Sequence, residues 1–118
     1  MATRSYTSTE IRGFYDHAHK IVWTGLLNGD DGDPVAVPGA ALKTIQFTGT
    51  FGAGGTIVLE GSIDGTNYLT LTDLQGNNIS KSAAALEGVQ EFVLYVRPRV
   101  TAGDGTTDLA AHLAIKRV

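Results

Sequence analysis

The stretch that decides the fold is Phe51–Asp73, with the sequence FGAGGTIVLEGSIDGTNYLTLTD. Glycines open it, polar and apolar residues then alternate, and Asp64–Gly65 in the middle is typical of a tight turn. Because successive side chains of a strand point to opposite faces of a sheet, this pattern predicts a β-hairpin. We therefore expect the chain to be built from antiparallel strands.

The register of this hairpin follows from where its apolar side chains must lie. A two-residue turn would set Glu60 opposite Leu69, which places a carboxylate among apolar groups. A loop with an odd number of residues, about three or five, sets Glu60 opposite Thr70 instead. One face is then aliphatic and buried, and the other faces water. The predicted buried set is Ile57, Leu59, Leu69 and Leu71, and the predicted wet set is Glu60, Thr70 and Thr72.

The same alternation marks further strands. Leu42–Thr50 would turn Ile45 and Phe47 inward, and Lys20–Leu27 carries the single tryptophan, Trp23. The last predicted strand, Thr107–Val118, has four inward residues: Leu109, Ala111, Leu113 and Ile115. About seven or eight such strands, separated by turns, predict an all-β protein, either an antiparallel β-sandwich or a jelly-roll-like barrel.

The first nineteen residues differ from the rest. Thr7 and Glu10 have the spacing of a helix capping box, and a helical stripe of apolar residues follows them. This segment is expected to be an N-terminal arm, either extended or a short helix, that packs on its own domain or on a neighbouring subunit. We therefore divide the chain into an arm, residues 1–19, and a β-sandwich domain, residues 20–118. The stripe comprises Ile11, Phe14, Tyr15 and Ala18.

Composition limits the classes of function. The chain has 118 residues, 42% of them apolar, and no cysteine, which indicates one globular domain without disulfides. Its net charge is −3 and its nine basic residues are scattered, which argues against a nucleic-acid partner. We find neither a secretion signal nor an apolar stretch long enough for a membrane helix, so no membrane partner is expected.

The candidate chemical groups are sparse. Asp30, Asp31 and Asp33 cluster in a loop, but their spacing fails the EF-hand pattern, so solvated turn carboxylates are favoured over a cation site. His17 and His19 would share a face of a strand, with no third ligand evident in the sequence. No nucleophile elbow and no acid–base pair of carboxylates stands out. We expect neither a cofactor nor enzymatic activity.

Five phrases of the sequence follow one another in a particular order and spacing: Trp23–Leu26, Asn28–Val35, Thr48–Gly55, Gly61–Tyr68 and Val96–Thr106. Together they resemble small structural proteins of tailed bacteriophages, in particular capsid decoration (cement) proteins. The resemblance spans roughly residues 20–118. Such proteins are β-sandwiches or jelly rolls that sit on the head exterior and clamp neighbouring capsid subunits.

This resemblance implies a non-enzymatic virion protein, assembled in the host cytoplasm and located on the capsid exterior. Its partner would be the major capsid protein, and it would be a homo-oligomer, a dimer or trimer at a symmetry axis. The alternative is a tail or baseplate component, or a fibre-like module that binds host glycan. Trp23 and Tyr68 are the candidates for glycan binding, which would require Trp23 to be exposed. The candidate partner-binding residues are Tyr6, Ile11, Phe14, Tyr15 and Phe51.

Overall fold

The computed structural model describes residues 1–13 and 17–117. These residues form twelve β-strands, of which seven have four or more residues and five have two. The predicted all-β class is confirmed. The strands, in chain order, are β1 Thr3–Arg4, β2 Tyr6–Arg12, β3 His17–Leu27, β4 Asp31–Gly32, β5 Val35–Ala36, β6 Leu42–Thr50, β7 Thr56–Ser62, β8 Leu69–Thr70, β9 Ser80–Lys81, β10 Ala85–Gly88, β11 Tyr95–Ala102 and β12 Asp108–Lys116.

The strands form two sheets that pack as a sandwich. The five-stranded sheet has the order β10-β6-β12-β3-β2 and is antiparallel throughout. The seven-stranded sheet has the order β1-β4-β11-β7-β8, with β5 beside β11 and β9 beside β7. Its β1–β4 pair is parallel. Consecutive strands β1 and β2 thus belong to different sheets.

The core lies between the two inner faces. From the five-stranded sheet it takes the inward residues that alternation predicts, such as Ile45 and Phe47, which are 0% and 1% exposed. The predicted inward set of β12 is confirmed for Leu109, Ala111 and Leu113, which are all buried. From the seven-stranded sheet the core takes Ile57, Leu59, Val96 and Val100, which are also buried.

The first segment of the chain is a strand, so the predicted short helix is wrong for the described residues. All seven residues of Tyr6–Arg12 pair with β3, in register from Tyr6↔Trp23 to Arg12↔His17. The segment Thr7–Thr9 is β-branched and hydroxyl-rich, which suits a strand better than a helix. Backbone hydrogen bonding to β3 along the whole segment is more favourable than the helix that the Thr7–Glu10 capping box would begin.

The hairpin register is confirmed, because Glu60 pairs with Thr70. Two of its predicted environments are wrong. Glu60 is 4% exposed, because arginines of the neighbouring β11 cover it. Leu69 is 76% exposed, because Leu71 and Val93 fill the space over Gly61, its partner in the ladder, and leave Leu69 at the rim.

Candidate interaction surface

The outer face of the five-stranded sheet presents regular rows of side chains. Residues opposite one another in antiparallel strands share a face, so the registers place them in rows across the sheet. The first row is Thr7, Val22, His112, Gln46 and Leu86, and the second is Thr9, Lys20, Ala114, Thr44 and Gly88. A third, partial row pairs Ile11 with Ala18 and Lys116 with Leu42.

Large apolar side chains on this outer face remain in contact with water. Ile11, Leu42 and Leu86 are 47%, 52% and 66% exposed. Leu74, from the turn before β9, lies over Gly88 and is 67% exposed. Contiguous apolar patches mark interaction sites, and Leu74 and Leu86 lie close together at the β10 edge of this face, whereas Ile11 lies at the β2 edge.

The three rows of this outer face differ in charge from the whole chain. The chain has twelve Asp and Glu residues and a net charge of −3, yet none of these residues lies in the three rows. Asp108, which pairs with Thr50 and is exposed, lies beyond them at the end of the same face. Lys20 is exposed in the second row, so the rows carry positive charge and suit an acidic partner.

A shallow depression of about 220 Å³ lies on this outer face. Ala18 and Ala114 line it, and their small side chains account for its depth. Leu42, Thr44 and Lys116 also line it. The depression has the dimensions of a single apolar side chain of a partner.

The predicted partner-binding residues do not all lie on the outer face. Ile11 belongs to the outer face, but Tyr6 packs edge-to-face on Trp23, with ring centroids 5.8 Å apart. Phe51 is half-buried against the core, and its carbonyl oxygen accepts a hydrogen bond of 2.8 Å from Thr107 Oγ1. Phe14 and Tyr15 lie outside the described residues. Partner binding by these five residues stays a prediction.

The three candidate aspartates have separate structural roles. Asp30 accepts hydrogen bonds from Ala2 N at 2.8 Å, Arg4 Nε at 2.8 Å and Leu27 N at 3.0 Å. Burial by itself would raise the pKa of Asp30, but these donors and the Arg4 charge lower it below the ordinary value. Asp31 Oδ1 accepts from Thr3 Oγ1 at 2.7 Å, and Asp33 is exposed.

The aspartate cluster and the His17–His19 pair are the two candidate metal sites of the sequence, and within the described residues neither has a third converging ligand. Within residues 1–13 and 17–117, no three His, Asp or Glu side chains converge as a metal site would require. His17 and His19 do lie at the same cleft, about 260 Å³ in volume, between β3, Pro38–Gly39 and Arg117. They share a face, as their spacing predicts.

Trp23 is a core residue, and this overturns its suggested role as a sugar platform. It is 0% exposed, and its Nε1 donates a hydrogen bond of 3.0 Å to the carbonyl oxygen of Asp33. The other candidate, Tyr68, has the guanidinium carbon of Arg97 4.1 Å from its ring centroid. Arg97 also pairs with Glu60, so Tyr68 packs on one member of that buried ion pair. Burial is the largest cause of a raised pKa at Tyr68.

Lys43 is a buried lysine that was not expected from the sequence pattern. Its Nζ donates a hydrogen bond of 3.2 Å to the carbonyl oxygen of Ala40, and it lies 6.0 Å from the ring centroid of Phe92. Burial lowers the pKa of Lys43, with Glu91 opposing part of the effect. Strand alternation contained the signal, because Lys43 has the same parity as Ile45 and Phe47.

Comparison with known proteins gives a fold likeness. No protein-family model matches the chain, and no curated protein is significantly similar to it. Among solved structures, the SPBc2 prophage-derived protein YomS aligns with a TM-score of 0.63 and 13% sequence identity, over 83% of this chain and 93% of YomS. At this identity the likeness shows a shared fold.

A second solved structure aligns more loosely. It is a carbohydrate-binding module from Cellvibrio mixtus lichenase 5A in complex with cellotriose, with a TM-score of 0.36 and 11% identity, over 96% of this chain and 87% of the module. A TM-score this low carries no argument about fold or ligand. No helix in the described part of the chain could span a membrane.

Proposed function

We propose that this chain is a non-enzymatic structural protein of a tailed-phage particle, and specifically a decoration protein that binds the head exterior and stabilises contacts between major capsid protein subunits. Two observations support a phage origin. The phrases between Trp23 and Thr106 resemble phage structural proteins, and the prophage-derived YomS has the same fold. In this proposal the protein assembles in the host cytoplasm and resides on the capsid exterior.

The observation that carries the proposal is the outer face of the five-stranded sheet. A decoration protein acts by burying its surface against the particle, and the three rows of this face offer apolar side chains without carboxylates. A complementary patch on the capsid protein would be apolar at its centre and acidic at its rim. Lys20 would then meet a carboxylate, which favours the correct partner and speeds association.

The size of this outer face bears on how it works. Four strand spacings of about 4.8 Å and two side-chain steps of about 6.8 Å give roughly 20 by 14 Å, or about 300 Å². A stable interface buries about 800 Å² on each partner. One copy would therefore bind weakly through this face, and firm attachment would need further contacts or several linked copies.

The buried acids support a role without catalysis. Glu60 is held by Arg97 and Arg99 at 3.1 and 3.0 Å, and Asp30 by Arg4 at 2.8 Å. Charged groups paired in this way stabilise a fold. A general acid or base must instead lie within hydrogen-bond reach of a substrate proton.

The experiment is a binding assay with undecorated heads of the phage that encodes this chain. Leu42→Glu places a carboxylate in the outer face, so we expect its affinity for heads to fall at least about tenfold, because a charge is desolvated beside apolar groups. Leu69→Glu is the matched control: Leu69 is 76% exposed and lies on the other sheet, so its affinity should be unchanged.

Labelled-particle imaging decides where the protein is attached. Label over the head surface supports decoration. Label confined to the tail or baseplate, or equal affinities of Leu42→Glu and Leu69→Glu for heads, would overturn the proposal.

A further inference from the structure

The five-stranded sheet has an open edge strand that is suited to pairing with a second copy of the chain. Strand β2 lies at this edge, and six of its seven residues are exposed. Its register with β3 runs from Tyr6 to Arg12 without a bulge. The opposite edge strand, β10, has four residues.

A long, exposed edge strand is uncommon in natural proteins unless another strand pairs with it. Natural proteins protect an exposed edge with proline, lysine, a bulge or a short strand, because unpaired backbone N–H and C=O groups recruit other strands. Charged side chains also protect an edge, and the sequence of β2, Tyr-Thr-Ser-Thr-Glu-Ile-Arg, has Glu10 and Arg12 near its end. It has no proline, lysine or bulge, and Tyr6–Thr9 carries no charge. Its threonines and isoleucine instead favour strand pairing.

We propose that two copies of this chain pair antiparallel along β2, about a twofold axis that passes beside Thr9. Thr9 is the midpoint of Tyr6–Arg12, so this register pairs all seven residues of one strand with the seven of the other. Thr9 then faces Thr9 of the second copy, and threonine pairs stabilise antiparallel ladders.

The other pairs of this register are compatible in charge. Thr7 lies opposite Ile11, Ser8 opposite Glu10, and Tyr6 opposite Arg12, so no like charges face each other directly. Glu10 is also partly neutralised within its own chain, where Arg12 Nε lies 3.3 Å from Glu10 Oε1.

Competing registers are less favourable. A ladder centred on Glu10 sets that carboxylate against itself, which is destabilising. A ladder centred on Ser8 pairs Tyr6–Glu10 and leaves Ile11 and Arg12 beyond the end of the partner's strand. The Thr9 register is therefore the one that uses the whole edge.

This pairing extends the proposed function. Two five-stranded sheets would join into one continuous sheet of ten strands. Because opposite residues share a face, the two outer faces would lie on the same side of that sheet, and their combined area would be about 600 Å², twice the estimate for one copy. The dimer would present two linked copies of a weak binding surface to the particle.

The test uses the isolated full chain and a charge exchange at Thr9. We expect the wild type to sediment as a dimer at high protein concentration. Thr9→Lys and Thr9→Glu each set like charges across the axis, so their dimer Kd should rise by about tenfold. An equimolar mixture of the two variants should recover the dimer, because lysine then faces glutamate.

Thr101→Lys on the exposed end of β11 is the control and should sediment like the wild type. A monomeric wild type overturns the proposal, as do Thr9 variants that stay dimeric or a mixture that stays monomeric. If the wild type is monomeric alone but binds heads through β2, the occupant of the edge is a capsid strand. Because this test contains no capsids, its failure leaves the head-binding test intact.

Discussion

Glu60 lies directly opposite Arg97 in the β7–β11 pair, and Arg97 Nε donates a hydrogen bond of 3.1 Å to Glu60 Oε1. Arg99 Nε donates a second bond, of 3.0 Å, to the other carboxylate oxygen. Glu60 is 4% exposed, so two arginines of one strand neutralise a buried acid of its neighbour. This cluster holds β7 and β11 together on the side away from the core.

Replacing Glu60 with glutamine keeps the side-chain shape and removes the charge. Loss of one partner of a fully buried pair costs about 3–5 kcal/mol, but the two arginine side chains reach solvent, so we expect a loss of about 2 kcal/mol. Urea unfolding measures it. Glu87→Gln is the control, because its pair with Lys81 is 25% exposed on each side and should be worth less than about 1 kcal/mol.

Gly32 is a tightly enclosed glycine beside the tryptophan. A Cβ at this position would lie 2.6 Å from Pro98 Cδ and 2.6 Å from Trp23 Cδ1. Gly32→Ala should therefore lower the free energy of unfolding by about 1–3 kcal/mol and shift Trp23 fluorescence to longer wavelength. Gly105→Ala has nothing within 4 Å of its Cβ and should leave both readouts unchanged. An unchanged Gly32→Ala protein would contradict this packing.

Asp104 couples two loops and should respond to acid. Hydrogen bonds from Thr106 Oγ1, and from the backbone N–H groups of Ala53 and Thr106, lower its pKa from 3.8 to about 2. Because its pKa is depressed in the folded state, its contribution to stability is present above about pH 4 and is lost as the pH falls through about 2.

Asp104→Asn should therefore be less stable than the wild type at pH 6, and this difference should shrink as the pH falls to about 2. Thermal unfolding across that pH range measures the difference. Asp33→Asn, at an exposed side chain, serves as the control substitution. A difference between wild type and Asp104→Asn that is constant with pH would rule out a role for the carboxylate charge.

Charge on the outer face should set the rate of attachment to capsids. Lys20→Gln removes one positive charge and should lower the association rate at low salt, whereas Gln46→Lys adds one and should raise it, each by a few-fold. Both differences should diminish at about 1 M salt, where the screening length is about 3 Å. Binding kinetics on immobilised heads measure the rates. Rates that do not depend on these charges would exclude an acidic partner.

Local pattern was sufficient for much of the fold. Leu42–Thr50 is a strand with the predicted bounds, and the inward parity of Leu109, Ala111 and Leu113 is correct. In both strands a face of alternating apolar residues packs on a single core, so the sequence period reports burial directly.

Other features depended on pairing between distant strands. Glu60 is buried because β11, thirty-seven residues away at Arg97, lies beside β7, and no local pattern encodes that neighbour. The N-terminal strand depends likewise on β3. The outer face could be anticipated in part from parity, but the three rows without carboxylates emerge only when four registers are combined.

The passage of the N-terminal segment from β1 in one sheet to β2 in the other has a consequence for proteolysis. A cut just after Arg12 would separate both strands, one from each sheet, from the rest of the chain. Departure of the cut segment would remove Ala2 N and Arg4 Nε from Asp30 and leave Leu27 N as the remaining one of its three described hydrogen-bond donors. The resistance of this fold to proteases thus depends on a short, exposed segment.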